Sequence, residues 1–335
     1  MAIMENKELE NIVFEPNDFE FIGDIEKISS EAVTPATSFL RDVWTRFKAN
    51  KGSIIGGIIV LIIIICAIIF PMLSQYTYDG VDAPRQFLGP RIPFIENIGI
   101  FNGKSGVNTY EGIYANAYHF FGTDHLRVWS GCRISLFVAA AAVLINVFIG
   151  MIYGMVSGYF GGKVDNLMQR FQEIVNSIPT LVILTLLLLL MKPSLYTIII
   201  ALALTEWVGM ARITRAQVLK IKEQEFILAS KTLGASSFFI IFKEVLPNIF
   251  GQIIIMAMMS IPNAIFYEAT LAMIGLGIPG PQASLGTLIN DGFKSFLVTP
   301  FLLVIPVVVL AILMLSFNLM ADGLRDAFDP KMKEM

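Results

Sequence analysis

Few side chains in this sequence have the types and spacing that catalysis or metal binding requires. Its two histidines, His119 and His125, are six positions apart, and a metal site needs more ligands than this pair offers. The sequence contains neither an HExxH pattern nor the GxxxxGK[S/T] pattern whose glycine-rich loop cradles nucleotide phosphates. We therefore predict that the chain is not an enzyme, holds no metal or cofactor and does not bind ATP itself.

A second group of polar side chains lies inside long apolar stretches, where ionisable residues are rare and often functional. Glu268 could line a path through the membrane, or it could hydrogen-bond to a neighbouring helix. Asn263, five positions earlier, is also assigned to the path. Glu206 is assigned to structure or to an inner gate, together with Arg212 or with Arg215 as its ion-pair partner.

The composition is that of a membrane protein. Hydrophobic residues make up 55% of the 335 positions and charged residues 15%, whereas soluble domains carry roughly 25% charged residues. The mean hydropathy is +0.69. The net charge of -3 argues against nucleic acid as a partner, because nucleic-acid-binding domains are usually strongly basic.

Long apolar runs predict an all-α protein that crosses a membrane. A bilayer core about 30 Å thick needs about 20 apolar residues in a helix, and six runs meet or approach that length. Pro179, Pro262 and Pro306 lie inside these runs and predict kinks, which membrane helices tolerate where neighbouring groups satisfy the freed backbone. The six predicted spans are Ser53–Leu73, Ile134–Tyr153, Leu167–Met191, Leu195–Met210, Ile249–Ile274 and Pro300–Leu319.

Lysine and arginine residues predict the orientation of these spans. Basic residues precede the first span, crowd the connection between the fourth and fifth spans, and follow the sixth. Six crossings place these segments on one side, so we expect both termini in the cytoplasm. The predicted parts are a cytoplasmic arm (1–52) whose basic end lies along lipid headgroups, a first span (53–73), a large extracytoplasmic loop (74–130), a core domain (131–320) with a cytoplasmic loop (212–247), and a cytoplasmic tail (321–335).

The cytoplasmic segment Glu225–Pro247 carries a pattern of its own. Phe226, Ser230 and Leu233 fall on one face at helical spacing. Ala229, like Ser230, is small, and this pair would let another surface approach the helix closely. The pattern predicts a short helix that presents one face to a partner.

A reversal is expected after this helix. Gly234 should end it, because glycine accepts the left-handed conformation at a helix end. Ser236 or Ser237 can cap a second short helix, and Pro247 marks the start of the fifth span, where its missing N–H costs little. The sequence thus predicts a helix, a sharp reversal and a second helix, all below the membrane. The alternative is an amphipathic connector that lies on the membrane surface.

The same segment resembles the loop shared by permease subunits of bacterial binding-protein-dependent ABC importers. That pattern reads Glu-Ala-Ala, three residues, Gly, nine residues and Ile-x-Leu-Pro, and the matching positions here are Ala229, Ser230, Gly234, Leu246 and Pro247. Two positions depart from it, because Leu228 stands at the acidic position and Glu244 at the isoleucine position.

Further motifs extend the resemblance from about Phe121 to the C-terminus. They are FGTD at Phe121–Asp124, RISL at Arg133–Leu136, GYFGGKVDNLMQR at Gly158–Arg170, SIPT at Ser177–Thr180 and GLGIPGPQASLG at Gly275–Gly286. These motifs resemble the peptide and nickel branch of the superfamily, and they are most similar to the C-type permeases of oligopeptide and dipeptide importers. The sequence departs from the family after Asp124, where a Gly-Arg-Asp stretch is missing and the outer lead-in to the second helix is shortened.

The resemblance implies the six-helix fold of a type I ABC importer permease, which forms half of a translocation pathway for oligopeptides in the bacterial cytoplasmic (inner) membrane. The implied partners are a sister permease, two ATPase subunits that bind ATP and Mg, and an extracytoplasmic substrate-binding protein. In such a pathway, Glu268 could attract the amino end of a peptide. The residues expected to dock on an ATPase are Glu225, Phe226, Ala229, Ser230, Lys231, Leu233, Gly234 and Pro247.

Alternatives from several classes stay open at this point. The chain could belong to an importer of nickel or another small solute in the same branch. It could also be a secondary transporter or an ion channel, neither of which needs an ATPase-docking loop. An intramembrane enzyme is a further class, against which the absence of HExxH and of paired intramembrane aspartates argues.

Overall fold

A computed structural model describes residues 39–73, 88–92, 102–103 and 125–328 of the chain. Within these residues the regular structure is helical, apart from an isolated bridge between Arg91 and Asn102 and a further bridge position at Leu88. The helices are α1 (Phe39–Ala49), α2 (Lys51–Leu73), α3 (His125–Phe160), α4 (Gly162–Asn176), α5 (Thr180–Met191), α6 (Leu195–Ile221), α7 (Glu225–Thr232), α8 (Ser237–Phe239), a π-helix (Ile240–Val245), α9 (Leu246–Met273), α10 (Leu285–Lys294) and α11 (Phe301–Phe328).

The predicted membrane-spanning architecture is confirmed. Within the described residues, five helical segments are long and apolar enough to cross a membrane, and the count reaches six when the bent pair α4–α5 is taken as one span. The bend between α4 and α5 is 76°. Pro179 occupies the N-cap of α5, so it marks a break in the third span rather than a mild kink. Pro262 and Pro306 lie inside α9 and α11, which continue through them.

Several helices are longer than the apolar runs that predicted them. Helix α6 continues to Ile221, so Arg212, expected at the start of the cytoplasmic loop, lies within a helix. Helix α3 likewise begins at His125 and ends at Phe160. The reason is that hydropathy detects only the part of a helix that lies in the apolar layer, whereas its polar ends can project beyond it. The outer connection near Gly277–Lys294 also contains a helix, α10.

Closely packed glycines join α3 to α6. Gly150, Gly154 and Gly158 lie four residues apart on α3 and face α6. A Cβ atom added at Gly154 would lie 2.4 Å from the carbonyl oxygen of Ala211, so no larger residue fits without moving the backbone. Small residues that let backbones approach are a common means of packing membrane helices. Helices α3 and α6 therefore form a tightly joined pair, whose C-terminal ends lead to α4 and α7.

Some expectations fall outside the described residues. They concern most of the arm 1–52, most of the loop 74–130 with His119 and the FGTD motif, and residues 329–335 of the tail. The domain limits themselves remain predictions.

Candidate coupling site

Helix α7, at Glu225–Thr232, is the short helix that the sequence predicted. Glu225 lies in its first turn and Lys231 in its last, so both charges complement the helix dipole. Its only buried residue is Ile227, which is fully enclosed. The helix is therefore fastened to the protein by one apolar side chain, and most of its surface is left uncovered.

The uncovered surface of this helical segment includes several apolar side chains beside the exposed Glu225 and Lys231. Phe226 is 45% exposed, Leu228 65% and Leu233 87%. Ala229 is also exposed, and its small side chain leaves room for a close neighbour. Exposed apolar groups that are grouped together mark surfaces for protein or membrane contact. Leu228, which replaces the acidic residue of the family pattern, is exposed on a different side of the helix, because it lies only two positions from Phe226.

Gly234 makes the predicted reversal. Its φ angle of +81° lies in the left-handed region, and it follows Leu233, the C-cap of α7. The N–H of Ala235 donates to the carbonyl of Ser230 at 3.0 Å, which closes the helix end. Ser236 accepts a hydrogen bond from the N–H of Phe239 at 3.3 Å, which confirms the first of the two predicted caps.

The prediction of a separate second helix below the membrane is wrong. Residues Ser237–Met273 form one continuous helical run, made of α8, the π-helix and α9. Pro247 is the second residue of α9 and lies inside this run. The π-helix ends just before it, because the proline ring clashes with an ordinary α-helical turn and a wider turn accommodates it. The reversal at Gly234 is therefore joined to the fifth span by one continuous helical run.

Ile227 connects α7 to three neighbouring elements. It belongs to a buried cluster that includes Met155 of α3, Val218 of α6 and Ile240 and Val245 of the π-helix. Full burial of one such side chain stabilises a contact by about 1.5–3 kcal/mol. The cluster places α7 beside the C-terminal ends of α3 and α6.

Two polar contacts add to this attachment. The hydroxyl of Ser230 donates a short hydrogen bond to the carboxylate of Glu244 in the π-helix. Glu244 replaces the isoleucine of the family pattern, so this departure from the pattern supplies a bond across the reversal. The ammonium of Lys231 lies 5.5 Å from the centre of the Tyr159 ring at the end of α3, a cation–π distance.

Glu268 is fully buried in α9. Its carboxylate accepts hydrogen bonds from the hydroxyl of Ser135 in α3, at 3.0 Å, and from the hydroxyl of Ser284, the N-cap of α10. Ser135 also accepts a hydrogen bond from the N–H of Leu285 at 3.1 Å. The carboxylate thus joins α3, α9 and the start of α10, and within this chain it does not face an open surface.

The other polar residues of the spans differ in exposure. Asn263 is exposed on α9, five residues from the buried Glu268. Glu206 is half-buried on α6, and Arg212 is exposed one and a half turns further along the same helix. Arg215, one of the two partners expected for Glu206, instead forms an ion pair at 2.6 Å with Asp165 of α4.

Sequence reasoning missed Asp165. It is the single acidic residue between Tyr153 and Leu167, a stretch that contains four glycines and one lysine. The isolated carboxylate was the signal that the sequence offered. Its partner lies 50 positions away in the sequence, beyond the reach of any helical periodicity.

The arrangement offers a surface for contact with a partner protein. Among the described residues, no group of three or more histidine, cysteine, aspartate or glutamate side chains could hold a metal ion. The site consists of a short helix that packs against the ends of α3 and α6 and exposes apolar side chains.

The family of this chain follows from comparison with known proteins. The family described as binding-protein-dependent transport system inner membrane component matches residues 131–334, and the N-terminal TM domain of oligopeptide transport permease C matches residues 38–90. The first match covers more than half of the chain, so the chain belongs to the family of binding-protein-dependent transport system inner membrane components. It is a multi-pass membrane protein of the ABC importer class, and the expected fold class is confirmed.

Individual relatives extend the match over nearly the whole chain. The dipeptide transport system permease protein DppC of Lactococcus lactis subsp. cremoris is 42% identical over 336 residues, covering 95% of this chain and 98% of that protein. The oligopeptide transport system permease protein OppC of Bacillus subtilis is 38% identical over 318 residues, covering 93% and 95%. A solved structure, the MetNI methionine ABC transporter in an inward-facing conformation, gives a TM-score of 0.49 at 20% identity, covering 59% of this chain and 95% of that one.

Proposed function

We propose that this chain is one of two permease subunits that together form the translocation pathway of an ATP-driven peptide importer. The observation that carries the proposal is the exposed apolar face of α7, with Leu233 exposed over 87% of its surface while Ile227 is fully enclosed. A partner that covers this face can move α7, and α7 moves the ends of the spans that share its buried cluster. The docking residues remain those predicted from the sequence, centred on Phe226, Ala229 and Leu233.

The partner that covers α7 is an ATPase subunit. ATP and Mg bind to two such subunits, and this chain supplies the mechanical contact rather than hydrolytic groups. When ATP draws the two ATPases together, α7 follows the groove in which it sits, and the continuous run Ser237–Met273 carries the displacement into the membrane. The pathway between this chain and its sister permease then alternates between inward and outward access, and a substrate-binding protein outside delivers the solute.

Peptide is the proposed substrate because the relatives that match almost the full chain are dipeptide and oligopeptide permeases. An importer of nickel or another small solute is the alternative within the same branch, and no contact in the described residues favours it. A secondary transporter or a channel has no ATPase subunit, so neither alternative explains the exposed apolar side chains of α7.

The orientation follows from the same helix. We place α7 and both termini in the cytoplasm of a bacterium, with the spans in its inner membrane. Lys220, Lys231 and Lys243 are exposed on this side of the chain, as the positive-inside rule requires. The basic helix α1 ends with Arg46 and Lys48 in its last turn, and we assign it to the surface of anionic lipid.

Asn263 is our candidate for the lining of the pathway. An amide on an exposed face of a membrane helix is costly against lipid tails, so water or the sister permease should cover it. Glu206 lies on α6 towards the inner side, and we assign it, with Arg212, to an inner gate or to packing against the sister permease. Of the two roles open for Glu268, the hydrogen bonds to Ser135 and Ser284 favour the structural one.

Reconstitution of the complete transporter tests the proposal. The chain is purified with the products of its neighbouring genes and placed in lipid vesicles with the binding protein. We expect defined di- and oligopeptides to stimulate ATP hydrolysis and to accumulate inside the vesicles. Stimulation by nickel but not by peptides would contradict the proposed substrate, and transport without any ATPase subunit would contradict the proposed mechanism.

A further inference from the structure

The cytoplasmic ends of α3, α4 and α6 are joined by a compact polar network. The guanidinium of Arg215 donates from Nε to Oδ1 of Asp165 and from Nη2 to Oδ2, both at 2.6 Å. This two-pronged pair has the geometry in which arginine binds a carboxylate most strongly. The hydroxyl of Ser157, at the end of α3, donates to the same carboxylate at 2.6 Å. One carboxylate therefore joins three helices.

The network is enclosed and well satisfied. Ser157 is fully buried, and the side chains of Asp165 and Arg215 are 12% and 27% exposed. Gln169 donates to the Ser157 hydroxyl at 3.1 Å, and the ammonium of Lys222 donates to the carbonyl of Gly158 at 2.8 Å. Charge pairs on an open surface contribute little, whereas removal of one member of an enclosed pair leaves its partner charge uncompensated.

The position of the network relates it to the coupling site. Arg215 lies near the end of α6, and only residues 222–224 separate α6 from α7. Asp165 lies in the first turn of α4, which begins at Gly162, and both Gly162 and the N-cap Gly161 have positive φ angles. Helix α4 is the first half of the bent third span, and among the contacts of the described residues it packs on α3 and α6.

Helix α4 has no route to α7 along the chain except through α5 and α6. The ion pair forms a direct link between the two, because it holds the first turn of α4 against the C-terminal part of α6. That part of α6 leads into α7. Further along, the ring of Phe171 stacks on Trp207 of α6 at 6.3 Å, so α4 is held at two levels. A displacement of α6 by α7 then moves α4 as well, and with it the bent span.

We propose that Asp165 and Arg215 are positioning residues that transmit movement of α7 to the bent span α4–α5. This inference rests on the proposed function, since it requires that an ATPase moves α7. The pair contacts no substrate. It acts by holding α4 against α6 while α7 moves.

The test is the amount of peptide transported per ATP hydrolysed by the complete transporter in vesicles with its binding protein. For Asp165→Asn we expect this ratio to fall roughly tenfold, because residues in contact couple by free energies large enough for a change of that size. ATP hydrolysis per assembled complex should stay within about twofold of wild type, because α7 and its apolar face are untouched. Arg215→Lys keeps the charge but not the two-pronged geometry, and it should give an intermediate ratio.

Two further variants make the result specific. The exchange Asp165→Arg with Arg215→Asp should recover a substantial part of the ratio lost in the single variants. The matched control is Glu173→Gln, which removes a different ion pair of α4, the exposed contact between Arg170 and Glu173 at 2.8 Å. Glu173→Gln should change neither the rate of peptide transport nor the amount of peptide transported per ATP hydrolysed.

Distinct outcomes separate failure of this inference from failure of the proposed function. An unchanged ratio in Asp165→Asn would overturn the inference, and so would a parallel fall of transport, hydrolysis and assembled complex, which indicates a purely structural pair. Failure of the charge exchange to recover the ratio would also count against it. If the wild-type complex shows no ATP-driven peptide transport, the proposed function itself fails, whatever the variants do.

Discussion

Gly234 holds a backbone conformation that few other residues adopt, and it lies between the exposed face of α7 and the helical run that enters the membrane. Its φ angle is +81°, and a Cβ atom added there would meet no atom within 4 Å. Space therefore does not limit substitution at this position, whereas backbone conformation does. This separation of the two effects allows a precise comparison of variants at one residue.

We expect Gly234→Val to uncouple transport and Gly234→Asn to retain much of it. A β-branched side chain opposes the left-handed conformation, whose cost is about 1–2 kcal/mol for ordinary residues, whereas asparagine tolerates it. Peptide uptake and ATP hydrolysis are measured on assembled transporters of equal amount. Equal uptake by the valine and asparagine variants would show that the reversal is not needed in this form.

At the scale of helices, the buried carboxylate of Glu268 joins elements that the sequence left separate. It accepts hydrogen bonds from Ser135 of α3 and from Ser284, which also caps α10 by accepting from the N–H of Thr287 at 3.2 Å. The individual residue was recognisable from the sequence because a charge within an apolar run is unusual. Its partners were not, since they lie 133 and 16 positions away and only packing brings them together.

Glu268→Ala should lower the stability of the purified complex, and Glu268→Gln should lower it less. Removal of the carboxylate leaves two enclosed hydroxyls without their acceptor, at a cost of about 1–3 kcal/mol, while the amide oxygen of glutamine still accepts. Thermal unfolding in detergent measures the difference, with Met273→Ala as a control at an exposed position near the end of the same helix. Loss of uptake in Glu268→Gln at unchanged stability would instead place this residue in the pathway.

For the whole molecule, the sequence determined local features well and long-range ones poorly. The helix stop at Gly234 and the cap at Ser236 depend on the backbone preferences of single residues, so both were predicted. The continuous run from Ser237 to Met273 was not, because a proline normally marks a helix start and the π-helix before Pro247 cannot be read from composition. The pair of Asp165 and Arg215 joins positions 50 residues apart, and it became visible only when α4 and α6 were packed together.

If an ATPase docks on the exposed face of α7, a photo-crosslinking amino acid placed at Leu233 should react with that subunit. That position is 87% exposed, so the substitution should not disturb folding, and Leu190 on α5, 82% exposed on a membrane span, is the matched control. In the purified transporter we predict a crosslink from position 233 to an ATPase subunit and none from position 190. Absence of any ATPase adduct from position 233, in a complex that still transports peptide, would contradict docking at this face.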